Sequence, residues 1–126
     1  MTGYEKMAVE AVRSARVLLE LGDNRGAINR AYYAVFNAAR AALNAIEPGL
    51  GDGKKHATTL SRFAQHLVRT GAVDARFGRI LTREFDARIA ADYEQEDIEP
   101  EIAATQVSSA EEFVAVICQF LKSRTP

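Results

Sequence analysis

A chain of 126 residues with 48% hydrophobic side chains has material for one hydrophobic core and is too short for two, so residues 1–126 read as a single domain needing no disulfide or metal staple. Sixteen Lys and Arg against seventeen Asp and Glu leave a net charge of −1, which excludes a molecule coated in positive potential; any nucleic-acid contact has to be local. A lone cysteine forms no internal disulfide, no apolar run approaches membrane-spanning length, and charges stand where a signal peptide would be apolar, so a cytoplasmic protein without membrane contact is expected.

From Thr2 to Leu21 the apolar positions Met7, Val9, Val12, Leu18, Leu19 and Leu21, with Ala8, Ala11 and Ala15, recur three or four apart between charges, which predicts a first amphipathic helix. Gly22 is a helix stop and Asp23 an N-cap, so a second helix is expected over Asn24 to Ile46, Ala-rich and central. Pro48, Gly49, Gly51, Asp52 and Gly53 predict a mobile loop, followed by the basic pair Lys54 and Lys55. A third helix is expected from His56 to Arg69, ended by Thr70-Gly71. The fourth, Val73 to Tyr93, carries the stripe Phe77, Ile80, Leu81, Phe85 and Ile89, with Arg76, Arg79, Arg83 and Arg88 on its other sides. An acidic connection, Glu94 to Glu99, leads to Pro100, which suits the first turn of a last helix ending in a frayed Ser-Arg-Thr-Pro; Cys118, among Phe113 to Leu121, reads as a small core residue. No alternating strand pattern or repeat appears, so the fold class is all-α, an antiparallel up-and-down bundle of about five helices.

The segment Asn29-Arg-Ala-Tyr-Tyr-Ala-Val-Phe-Asn-Ala-Ala-Arg-Ala-Ala-Leu43 resembles the core helix of the HEPN family (higher eukaryotes and prokaryotes nucleotide-binding). Lys-Lys-His-Ala at 54–57, Arg88-Ile-Ala-Ala-Asp-Tyr93 and Ser-Ala-Glu-Glu-Phe-Val at 109–114 agree in order and spacing. The resemblance implies a bundle that pairs with a second copy, often beside a nucleotidyltransferase-type partner as in toxin–antitoxin pairs. It also implies, in many members, a metal-independent endoribonuclease with an Arg and a His on one helix.

The chemistry accounts for that pair. Cleavage of RNA by its own 2′-hydroxyl needs a group that moves protons and a cation that holds the phosphate as charge builds on it. A His titrates near neutrality and an Arg offers a fixed fork of donors. Here the Arg corresponds to Arg30, but the place of the His is taken by Asn37, which cannot carry a proton. The candidate catalytic residues are therefore Arg30, Asn37 and, from beyond the loop, His56.

Candidate phosphate or nucleotide ligands are Arg30, Tyr33, Lys54, Lys55, Arg88, Asp92 and Tyr93. Arg30, Tyr33 and Asn37 fall at i, i+3 and i+7, one polar stripe on an apolar helix. That stripe reads either as a ligand site or as a polar core network in which Arg30 pairs with a carboxylate such as Asp92. Arg88 and Asp92, four apart, form either a plain intrahelical ion pair or, with Tyr93, one wall of an anion pocket. Lys54, Lys55 and His56 at a helix start suit a phosphate or are a solvated turn. His66, between Phe63 and Leu67, reads as a surface or packing residue.

One Cys, two distant His and no carboxylate cluster give no metal site, and no cofactor is expected. Gly49 to Gly53 lacks the Gly-Lys-Ser/Thr ending of a phosphate loop and reads as flexibility. The reading favoured is a homodimeric module that binds a nucleotide, RNA phosphate or nucleotidyltransferase partner; the rivals are an endoribonuclease toxin in which His56 or Tyr33 carries the proton, and a purely structural subunit.

Overall fold

The computed structural model describes residues 3–124, and among them there are helices and no strand. The helices are α1 (Gly3–Glu20), α2 (Asn24–Ile46), α3 (His56–Phe63), α4 (Ala75–Tyr93) and α5 (Pro100–Arg124). Among the described residues no helix is long and apolar enough to cross a membrane.

The start of α2 is set by local chemistry. Gly22 takes a φ of +83°, a left-handed conformation that costs glycine little and reverses the chain after α1. Asp23 then accepts from the Gly26 amide, satisfying one of the open donors of the first turn. Ala8, Ala11 and Ala15 of α1 face Ala27, Ala31, Ala34 and Ala38 of α2, all at most 5% exposed. Small side chains at these spacings let the two axes approach closely, and α2 becomes the central element, packed by every other helix. Phe63, Phe113, Leu43, Leu67 and Ile117 fill the middle of the core.

Several expectations are corrected. In α1 the alanines are buried while Met7 and Leu21 lie exposed, because the narrow seam against α2 admits only small residues. In α4 the face turned inward is Phe77, Ile80, Leu81, Glu84 and Ala91, with Ile89 exposed; Arg88 turns toward α2 and does not stud the outside. The third helix changes character at Ala64, where a π-helical turn, Ala64–Val68, begins and the Arg69 amide bonds back five residues to the Ala64 carbonyl. The extra residue in that turn lets Leu67 stay in the core. At the other end of the chain, α5 includes Ser123 and Arg124, expected to fray, while Thr125 and Pro126 fall outside the described residues.

The α2–α3 connection is also not the mobile loop its glycines suggested. Asn44 accepts from the Gly51 amide at 2.7 Å and donates to Asp52 at 3.1 Å. Arg40 donates to the Gly53 carbonyl at 2.7 Å and Arg62 to the Leu50 carbonyl at 2.9 Å. A Cβ at Gly51 would run into the Arg40 carbonyl oxygen, so glycine is needed there for close packing, not for flexibility. The loop is a fixed spacer that delivers His56 to one place. The acidic α4–α5 connection is fastened in the same manner, with Asn24 bonded to the Ile98 carbonyl and Arg25 to those of Ala91 and Glu96.

Candidate functional site

One wall is α2. Arg30, Tyr33 and Asn37 share a face, and with Met7, Glu10 and Ser14 of α1 they line a surface depression of about 300 Å³. Asn37 is buried; Arg30 and Tyr33 are half-buried. The Arg30 guanidinium lies 5.1 Å from the centre of the Tyr33 ring, and among the described residues no carboxylate comes within ion-pair distance of it.

The second wall is α4. Arg88, carried inward by the helix period, sets its guanidinium 5.3 Å from the Tyr32 ring centre and 5.5 Å from that of Tyr33. Asp92, one turn on, sits 3.5 Å from Arg88 Nε, an ion pair without a hydrogen bond, so the buried Nε has no hydrogen-bond partner. The pairing of Arg30 with Asp92 considered above therefore does not form; Asp92 belongs to Arg88. Two guanidinium groups, 58 positions apart in the chain, thus flank one tyrosine ring.

The third wall is the start of α3. His56 stacks on Phe36 with centroids 4.4 Å apart, and its Nδ1 lies 2.5 Å from the hydroxyl of the fully buried Tyr32. It is 6.3 Å from both Tyr33 and Phe85, ring centre to ring centre. Burial lowers the His56 pKa, and the guanidinium groups of Arg88 and Arg40 push the same way by opposing a second positive charge. Burial raises that of Tyr32, keeping the phenol protonated. Arg40 also packs on Phe36, its guanidinium 4.4 Å from that ring centre.

Five of the predicted site residues, Arg30, Tyr33, His56, Arg88 and Asp92, therefore meet around one aromatic cluster, and Asn37 borders it. The remainder do not join it by contact. Lys54 and Lys55 are exposed at the start of α3, and Tyr93, 83% exposed, closes α4. Sequence reasoning missed Tyr32, Phe36 and Arg40 as parts of the cluster. Their signal was present, since Tyr32 and Phe36 stand one turn apart on the helix that carries Arg30, but the partner they share lies across the loop. Among the described residues no group of three or more His, Cys, Asp or Glu is placed to hold a metal ion.

Fold and cluster together define an all-helical protein that gathers arginine, tyrosine and histidine at the meeting of three helices. Residues 4–121 match the family model of the HEPN domain. A candidate toxin of Methanocaldococcus jannaschii is 35% identical over 117 residues, 93% of this chain and 85% of that protein. A UPF0332 protein of Thermotoga maritima is 33% identical over 115 residues, 90% of this chain and 85% of that protein, and one of Pyrococcus horikoshii is 38% identical over 77 residues, 61% of this chain and 52% of that protein. The chain belongs to the HEPN domain family.

Proposed function

We propose that this chain is a toxin-like HEPN module, acting as one unit over its whole length, that holds a phosphate of RNA or of a nucleotide between Arg30 and Arg88. The observation that carries this reading is the pair of guanidinium groups at Tyr33, one of which has no carboxylate partner among the described residues. An unpaired guanidinium beside an aromatic ring is weakly hydrated and matches a phosphate with two parallel hydrogen bonds. The M. jannaschii relative supports the toxin-like part; a second copy of the chain and a nucleotidyltransferase-type partner belong to the proposal through the family resemblance alone.

The test is anisotropy of a labelled oligoribonucleotide titrated with the protein in EDTA. The wild type binds, and Arg30→Ala weakens binding by tenfold or more, since a hydrogen bond to a charged group contributes about 1.5–3 kcal/mol. Equal binding by both proteins would sink the reading.

A second reading is an endoribonuclease in which His56 carries the proton. What favours it is the 6.3 Å between His56 and Tyr33, which sets an imidazole beside the guanidinium pair. Cleavage of the same RNA in EDTA, lost in both Arg30→Ala and His56→Ala, would establish it.

A further inference from the structure

His56 has two ring nitrogens, and the structure gives them different neighbours. Tyr32 is fully buried, and among the described residues its hydroxyl has no hydrogen-bond partner other than His56 Nδ1, 2.5 Å away. A buried phenol needs an acceptor for its proton, so Tyr32 donates and Nδ1 accepts. A neutral imidazole that accepts at Nδ1 carries its own proton on Nε2. That nitrogen has no protein partner among the described residues and is not sealed from solvent. Stacking on Phe36, with planes 28° apart, holds the ring in this orientation.

We infer that His56, its Nδ1 capped by the Tyr32 hydroxyl, serves as a fixed Nε2–H donor to a phosphate oxygen and that Tyr32 is the residue that positions it. The inference rests on the phosphate-binding reading and assigns the histidine a role within it. It also separates this histidine from a proton carrier, which must shed and regain a proton during turnover. Two features oppose such cycling. Besides the apolar rings of Phe36 and Phe85, the groups that face the imidazole are cations and phenols: Arg88 from α4, Arg40, Tyr32 and Tyr33 from α2, with Lys54 and Lys55 just before it in the chain. Among the described residues no carboxylate oxygen lies within 4 Å of a ring nitrogen to stabilise an imidazolium, and Asp92 is engaged with Arg88.

The experiment combines ¹⁵N-detected imidazole NMR with binding. In wild-type protein at pH 7 the His56 signals should show a bare Nδ1 and a protonated Nε2, and inorganic phosphate should shift the Nε2 signal. Tyr32→Phe keeps the ring stack and should release the tautomer to a mixture. An amide N–H can replace a fixed donor, so His56→Gln should bind the oligoribonucleotide within about twofold of wild type, while His56→Ala should bind several-fold more weakly. A proton on Nδ1, an unchanged tautomer in Tyr32→Phe, or a Gln variant as weak as the Ala variant would each overturn the assignment. Phosphate that leaves the His56 signals unmoved while Arg30→Ala still weakens RNA binding would overturn it and spare the broader reading. Absence of RNA and phosphate binding in the wild type would remove both.

Discussion

Glu84 stands in the middle of α4 with its side chain fully buried and neither carboxylate oxygen hydrogen-bonded. Burial alone pushes its pKa up from 4.5 to about 9, so at neutral pH the folded protein holds it as a neutral acid. The unfolded chain releases that proton above about 4.5 while the folded chain keeps it to about 9. The contribution to stability is therefore complete below the lower value and declines through the window between them by about 1.4 kcal/mol per pH unit. Urea denaturation from pH 5 to pH 9 should show this decline, and Glu84→Met, which keeps the length and removes the polar atoms, should flatten it. At pH 7 that variant should be more stable than wild type by about 3 kcal/mol or more, since that decline has already weakened the wild type over about 2.5 pH units and an unsatisfied polar group has been replaced by an apolar one. Arg88 and Arg30 differ at the same scale. Arg88→Ala removes a half-buried stack on Tyr32 and should cost about 1–2 kcal/mol of stability, whereas Arg30→Ala should change stability by less than about 0.5 kcal/mol while weakening RNA binding. Thermal melts of the two variants separate these roles.

Among the elements, the α2–α3 spacer carries the clearest test. Removing Asn44 leaves the Gly51 amide without its acceptor and Asp52 without its donor, so Asn44→Ala should cost about 1–3 kcal/mol and speed hydrogen exchange at Gly51. Gly51→Ala should cost more, because the Arg40 carbonyl occupies the space a methyl group would need. If Asn44→Ala melts like wild type, the spacer is not held as described. The limits of α2 could be read in advance because Asp23 and Pro48 act on their immediate neighbours. The spacer's rigidity could not, since its donors Arg40 and Arg62 lie outside it and glycine composition says nothing of them. The same division holds for the site. Arg30, Tyr33 and Asn37 follow from helical spacing, and Phe77, Ile80, Leu81 and Phe85 of the expected stripe do pack inward, while the inward turn of Arg88 was hidden because the stripe was carried on to Ile89, which is exposed. The bond between Tyr32 and His56, 24 positions apart, has no local signature at all.

For the molecule as a whole, a net charge of −1 disguises an uneven distribution. Arg30, Arg40 and Arg88 around the aromatic cluster, with Lys54 and Lys55 just before His56 in the chain, set five cations against the two carboxylates of Glu10 and Asp92. Two or three phosphate contacts by a single strand predict a slope of about −1.4 to −2.1 in log K against log salt, the measurement being a salt titration of RNA binding. A slope near zero would show that these cations do not meet phosphates. The lopsidedness has a kinetic side as well. A local gathering of cations on a nearly neutral protein attracts a polyanion before contact and draws that face toward it. Association with RNA should therefore slow steeply as salt rises, while the lifetime of the bound state changes little.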